Sequence, residues 1–332
     1  MREREMNTFS RRLKCCITAG TTSLFLCFHS FDAQAQCSVV TPTDASFGTP
    51  TSFTVRTAQQ SGSTINSGLT CDGTGVAAPL LSTNEINMTL SSQNAESVRS
   101  STGDTIPYRI FADANARTPV NSGRAVNWAT DPLRSTLSLF GGASLSPPLY
   151  FRTTPGANVA AGTYTDTITI NWNWRYCTRS SLPGVSCSRF DRGSGASAFL
   201  LTLVVTNDCT IAARDISFGA APDPASFSPV TGGIGVTCTK GLTYTVGVSS
   251  GSFPAANGRR QMASSGGGRL QYDIFNGRGA TVWGEDTNRV RSVSSADGLS
   301  AQQFPFRAAI YADQEIPPVG TYTDSVVIDV RY

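Results

Sequence analysis

The sequence predicts an all-β chain of two tandem β-sandwiches, the second short of its last strand. Three observations predict it. Gly162-Thr-Tyr-Thr-Asp166 recurs as Gly320-Thr-Tyr-Thr-Asp324, and each copy opens an alternating run, Thr165–Trp174 and Thr323–Tyr332. Short alternating segments bounded by Gly, Pro, Asn and Ser run the length of the chain, while no stretch has an apolar period of 3.6 residues. After the first copy a cysteine loop leads into a further alternating segment, Phe199–Thr206; the second copy is followed by no such segment in the sequence. A sheet edge left unpaired is an assembly device or a hazard.

Residues 1–35 read as an export signal. Arg11, Arg12 and Lys14 precede a mostly apolar run, Cys15–Phe31, and Ala33-Gln-Ala35 is a small-residue cleavage site. The apolar run is too short and too interrupted for a membrane span. Cleavage after Ala35 removes the only histidine, His29, and three cysteines. It also removes five basic and three acidic residues from 26 and 23, leaving 21 against 20. The mature chain therefore carries no electrostatic footprint for nucleic acid. Without a mature histidine, Ser-His-Asp and Cys-His catalysis are excluded. No carboxylate pair falls in a catalytic motif, and the recurrence of Asp166 as Asp324 favours a structural role. The expectation is a protein that is not an enzyme and binds no cofactor or metal.

The repeat extends on both sides of its most conspicuous motif. Cys37, Ser46-Phe47-Gly48 and Cys71 correspond to Cys209, Ser217-Phe218-Gly219 and Cys238; Tyr108-Arg-Ile-Phe111 corresponds to Tyr272-Asp-Ile-Phe275. Landmarks in the same order at this long period mean a duplicated domain rather than a solenoid. The predicted division is a first domain over 36–207 and a second over 208–332. Within them Ser52–Thr57, Asn87–Ser91, Thr105–Phe111, Leu242–Val248 and Phe306–Tyr311 read as strands. Tyr164 and Tyr322 fit either tyrosine corners or plain core positions. An even set of six mature cysteines behind an export signal reads as disulfides. The repeat pairs Cys37 with Cys71 and Cys209 with Cys238, which leaves Cys177 and Cys187 to close a short loop.

Taken together, the cysteine pair, Ser-Phe-Gly, Tyr-x-Ile-Phe and Gly-Thr-Tyr-Thr-Asp resemble the spore coat protein U family, twice over and across nearly the whole mature chain. That family includes pilin subunits of archaic chaperone–usher pili, and a two-domain member of this length resembles a tip adhesin. The resemblance implies immunoglobulin-like sandwiches, the C-terminal one lacking its seventh strand. It also implies three partners: a periplasmic pilus chaperone that lends a strand, an outer-membrane usher, and a next subunit whose strand replaces the chaperone's. Ordinary members carry a donor segment before their first cysteine. Here Phe199, Leu201, Leu203 and Val205 precede Cys209 and are placed to complete the first domain in cis, although which face of the segment is buried is open. Only Gln36 precedes Cys37 after cleavage, so the chain is expected to accept a strand, donate none, and sit at the end of a pilus at the cell surface.

If the strands of the first domain alternate in direction, the loops at 72–84, 113–123, 141–148 and 177–187 gather at the end away from the second domain. Val76, Pro79, Leu80 and Leu81 in one, and Leu145, Pro147 and Pro148 in another, are apolar with few charges. They cap the core or form an exposed tip that attaches to an abiotic or cell surface and supports biofilm formation. A lectin-like alternative rests on Trp128, Trp172, Trp174 and Tyr176, the last three on one face of a strand. A secreted coat-like structural protein is a further alternative. An outer-membrane barrel is disfavoured by the two cysteine-closed repeats.

Overall fold

The computed structural model describes residues 36–72, 84–130, 144–182 and 186–332. The signal expected at 1–35 lies outside them. The chain folds as two β-sandwiches, each around its own core, within one compact unit, Gln34–Tyr332.

The first core is enclosed by β1 (Gln36–Val39), β2 (Ala45–Ser46), β3 (Ser61–Thr64), β4 (Leu69–Asp72), β5 (Glu85–Ser92), β6 (Ser97–Ser100) and β7 (Thr105–Phe111). It continues with β8 (Pro119–Val120), β9 (Ala125–Asn127), β10 (Ser144–Leu145), β11 (Leu149–Thr153), β12 (Gly162–Leu182) and β13 (Ser186–Val205). β4 lies between β1 and β10, and β12 lies between β13 and β5. β7 joins the layers, pairing with β6 through its first half and with β11 through its second. Strict alternation makes these strands: Ile106, Tyr108 and Ile110 are buried while Thr105, Pro107 and Arg109 are exposed.

β12 and β13 form one long antiparallel hairpin, with Leu203 opposite Tyr164 and Phe199 opposite Ile168. On its other side β13 pairs in parallel with β2, Leu201 facing Ala45. Phe199, Leu201, Leu203 and Val205 are buried, and Leu200 and Val204 face out. This settles which face of the segment enters the core. Phe199 joins a ring cluster through Phe151 (centroids 5.9 Å), which packs edge-on to Phe47 and Tyr108. Further along, Trp174 lies over Gly193 on the neighbouring strand, where an added Cβ would stand 2.3 Å from the indole.

One expected strand is a helix. Ser52–Thr57 forms α1, because Thr51 caps it, its Oγ1 accepting the Thr54 N–H at 3.2 Å. Only Ser52 and Val55 are buried, a spacing of three, which the alternating reading missed in so short a window.

The second core is enclosed by β14 (Cys209–Ala212), β15 (Val230–Cys238), β16 (Thr245–Val248), β17 (Arg260–Ala263), β18 (Arg269–Asn276), β19 (Val290–Arg291), β20 (Gln302–Ile310) and β21 (Ile328–Arg331). β14, β15, β20, β18 and β17 form one sheet; β19, β16 and β21 form the other. Arg260 forms a buried ion pair with Asp273 of the neighbouring strand at 2.9 Å and reaches the other sheet by donating to the Val248 carbonyl; it also donates to the carbonyls of Ser249 and Trp283. The expected strand Thr323–Tyr332 is regular only over Ile328–Arg331, and Leu242–Val248 only over Thr245–Val248. For the first of these the reason is the missing neighbour, since β12 at the same place runs continuously against β13.

All three expected cysteine pairs are bonded, Cys37–Cys71, Cys177–Cys187 and Cys209–Cys238. Val205 leads almost directly into Cys209, and the sandwiches touch beside that link. Ser52 Oγ meets Thr239 Oγ1 at 2.7 Å, Lys240 Nζ meets Asp104 at 2.6 Å, and Asn158 donates to the Asp297 carbonyl at 2.8 Å. Burial raises the Asp104 pKa, but the hydrogen bonds from Lys240 and the Ala160 N–H outweigh it and hold the carboxyl below its usual range.

Candidate functional site: an open groove in the C-terminal sandwich

The two recurrent motifs are bonded to each other in both sandwiches. Tyr108 Oη donates to Asp166 Oδ2 at 2.6 Å, and Tyr272 Oη donates to Asp324 Oδ2 at 2.7 Å. Burial, and then the hydrogen bond to the carboxylate, raise both tyrosine pKa values well above the ordinary phenol. Asp166 further accepts from Ser92 Oγ at 2.5 Å and the Asn94 N–H at 3.0 Å. Both tyrosines of the Gly-Thr-Tyr-Thr-Asp motif are corners: Tyr164 Oη donates to the Ala160 carbonyl and Tyr322 Oη to the Pro318 carbonyl, each four residues upstream.

This correspondence allows the halves to be compared position by position. In the first sandwich Phe47, Tyr164, Ile168, Ile170 and Trp172 are buried. Their counterparts Phe218, Tyr322, Val326, Ile328 and Val330 are only partly covered. Phe47, Tyr164 and Ile168 lie in or beside the space that Phe199–Val205 fills in the first half, while Ile170 and Trp172 stand further along β13, opposite Ser197 and Gly195. In the second half that space is a groove of about 390 Å³. Asp215, Ile216 and Phe218 form one wall and Tyr322, Asp324 and Val326 the other; Ile234, Met262 and Phe306 lie between them. Along the walls, 213–222 has no strand pairing, and 320–327 has only the Ala263–Thr323 bridge. The groove thus offers apolar pockets together with main-chain donors and acceptors, which is the chemistry of strand addition. Groups of three or more His, Cys, Asp or Glu able to hold a metal are absent among the described residues.

A family model for the Spore Coat Protein U domain matches the chain twice, over residues 23–171 and 196–329. The chain belongs to the Spore Coat Protein U domain family. Its two Spore Coat Protein U domains share their fold with a chain of the chaperone–tip adhesion subunit pre-assembly complex from the archaic chaperone–usher Csu pili of Acinetobacter baumannii. That similarity has 24% identity and a TM-score of 0.62, covering 89% of this chain and 100% of the other. The tip adhesin CupB6 of Pseudomonas aeruginosa matches at 11% identity and a TM-score of 0.33 over 90% and 94% of the two chains, a likeness too distant to argue from. No curated protein matches.

The expected surface loops fare unevenly. Val76, Pro79, Leu80 and Leu81 lie outside the described residues. Leu145 pairs through its backbone with Cys71 in β10–β4. Pro147 and Pro148 are buried, and the Pro147 carbonyl accepts the Ser67 hydroxyl at 2.5 Å, so these prolines cap the core instead of standing at an exposed tip. Asn84, at the end of the 72–84 segment, meets the cysteine loop, its Oδ1 accepting the Cys177 N–H at 3.0 Å. The loop at 113–123 instead folds back along the flank, where the Gly123 N–H reaches the Leu90 carbonyl. The aromatic face behind the lectin alternative is core. Trp128, Trp172, Trp174 and Tyr176 are buried, Trp172 donates to Ser197 Oγ at 3.0 Å and Trp174 to Asp191 Oδ2 at 3.1 Å. Stacking on a sugar would require those rings to leave the sandwich.

Sequence reasoning did not foresee the Tyr–Asp bonds, although both partners sit inside the recurrent motifs. Substituting Asp166 with Ala strands one buried donor, the Tyr108 hydroxyl, and two half-buried ones, Ser92 Oγ and the Asn94 N–H, and the expected cost is about 3 kcal/mol. Asp324→Ala is expected to cost less, because Asp324 is half exposed beside the open groove. Urea unfolding of the two variants reads the difference directly.

Proposed function

We propose that the chain is the tip adhesin of a chaperone–usher pilus, with no catalytic role. In this reading 36–207 is a self-completed adhesive domain and 208–332 a pilin domain that accepts a strand. A periplasmic chaperone would occupy the groove first, an outer-membrane usher would mediate the exchange, and the next subunit would fill it permanently. The observation that carries the reading is the position-by-position match between the groove and the place that β13 fills in the first half. Three disulfides are consistent with passage through an oxidising compartment and a place on the cell surface.

Attachment is proposed through the apolar residues Val76, Pro79, Leu80, Leu81 and Leu145; the contact of Asn84 with Cys177, beside the tip of the long hairpin, supports this reading. Burying about 300 Å² of apolar surface at roughly 25 cal/mol/Å² offers several kcal/mol before association costs. Many copies on a cell would combine such weak contacts and support biofilm growth. Leu80→Asp and Leu145→Asp are the test, with pilus assembly followed separately. Pili should form while attachment to a hydrophobic surface drops. Parental attachment by both variants would remove these loops from the binding site.

A further inference from the structure

In the first half, the end of the sandwich from which β13 leaves is covered by the second sandwich. Val205 stands opposite Gly162, and Cys209 opens the next sandwich a few residues later. Two loops beside that exit make the joint. Asp104, in the β6–β7 turn, takes Lys240. In the loop ahead of Gly162, Asn158 donates to the Asp297 carbonyl and Ala160 bridges to Lys240 through its backbone.

The second half repeats both loops and leaves them open to solvent. Its β17–β18 turn copies the β6–β7 turn bond for bond. The Ser264 N–H reaches the Gly268 carbonyl as the Ser100 N–H reaches that of Asp104, and the Gly267 N–H reaches Ser264 as the Gly103 N–H reaches Ser100. Gly268 therefore stands where Asp104 does. The tyrosine corners align the other loop, since Tyr164 and Tyr322 each bond the carbonyl four residues upstream. Asn158 then corresponds to Ile316 and Ala161 to Val319. Ile316 is 73% exposed and Val319 fully so. The loops keep their geometry while the polar groups of the first joint give way to glycine and to apolar side chains. Of the charged residues here, Glu315 is exposed, and the Arg269 guanidinium turns to the Gly267 and Gly268 carbonyls and lies 4.7 Å over the Phe253 ring.

We propose that these two loops are the seat of the next subunit's sandwich, which meets them through an apolar rim. The inference rests on the groove being a strand acceptor. A strand laid in the groove as β13 lies in the first half leaves beside Gly320. The body it belongs to then follows over Ile316 and Val319, as the second sandwich follows over Asn158 and Ala160. The side chains set the chemistry of the partner. Gly268 offers no carboxylate where Asp104 holds Lys240, and Ile316 offers no donor where Asn158 has one. A partner with apolar side chains at this rim removes exposed apolar surface from water on both sides.

Intact pili sheared from cells test this, with p-benzoylphenylalanine in place of Ile316, of Val319 or, as a control, of Val293, which is 91% exposed elsewhere. Irradiation should join positions 316 and 319 to a pilus subunit, at a point that mass spectrometry maps to its sandwich and not to its donor strand; position 293 should give at most a trace. Ile316→Asp with Val319→Asp should release the chain from pili in urea about fivefold faster or more, since interface changes act mainly on the off-rate. Release of the parent should be no faster at about 500 mM salt than at about 50 mM, because apolar contact is not screened. A bare strand, the peptide Phe-Thr-Leu-Thr-Leu-Thr-Val-Thr, should raise the melting temperature of the C-terminal sandwich equally in the mature parent and the double variant, because it has no body to seat. A peptide that stabilises neither protein overturns strand acceptance and this inference together. A working peptide with no crosslink at 316 and 319, a crosslink only to the partner's strand or only to the chaperone before assembly, unchanged release by the double variant, or faster release in salt overturns the seat alone.

Discussion

Leu203→Asp is expected to unfold the N-terminal sandwich. The side chain is fully buried opposite Tyr164, in a strand that pairs on both sides. An ionised carboxylate there has no partner, and burying it costs more than about 4 kcal/mol, a large share of the 5–15 kcal/mol that holds a domain of this size. Leu201→Asp should behave the same way. Leu200→Thr and Val204→Thr lie on the opposite, half-exposed face of the same strand and should shift stability by less than about 1 kcal/mol. The fragment 36–207 is the object to measure, by urea unfolding followed through tryptophan fluorescence. Ending the fragment at Arg192 should abolish the transition altogether, because Phe199 leaves the Phe47–Tyr108–Phe151 cluster and the parallel partner of β2 disappears. Equal unfolding midpoints for the long and short fragments would show that β13 contributes nothing to this core.

The duplication made the two sandwiches legible before any coordinates. Cys37–Cys71 and Cys209–Cys238 could be paired because one cysteine pair recurred at matching places, and the hairpin strand could be assigned because Gly-Thr-Tyr-Thr-Asp opened it twice. Period-two alternation found β5, β7, β12 and β20. It failed at Ser52–Thr57, where six residues are too few to tell a strand from one and a half helical turns and the decision belonged to the Thr51 cap. It also over-extended the last strand, because alternation describes the side chains and regular pairing needs a neighbour. The apolar loops were the least legible part. Pro147 and Pro148 have the composition of an exposed patch and the location of a core lid, and composition alone does not separate the two. Trp172 and Trp174 were the same problem reversed, since their burial depends on Ser197 and Asp191 reaching the indole nitrogens from the next strand. The groove was implied by the sequence as a missing strand. Its walls, Ile216 and Phe218 against Tyr322 and Val326, required the fold to bring residues a hundred positions apart to one opening.

The second large effect is expected at that opening. Without a partner, the mature chain should aggregate, because an apolar groove flanked by unpaired main chain is a template for other strands. An added peptide, Phe-Thr-Leu-Thr-Leu-Thr-Val-Thr, copies the buried face of β13 and replaces its outer face with threonine. Mapping β13 onto the second half puts its four apolar residues opposite Val326, Asp324, Tyr322 and Gly320. At a hundred times its dissociation constant the peptide should add about 2.7 kcal/mol to the C-terminal sandwich and raise its melting temperature by roughly 10 °C. The N-terminal transition should stay where it is, since β13 already occupies that site. A scrambled peptide, Phe-Leu-Leu-Val-Thr-Thr-Thr-Thr, has the same composition but cannot put four apolar side chains on one face, and should do nothing. Val326→Asp should abolish the response of the C-terminal transition while leaving the N-terminal one untouched. A scrambled peptide that worked as well as the alternating one, or a monodisperse chain whose two transitions ignored both, would mean that the groove is not a strand-binding site.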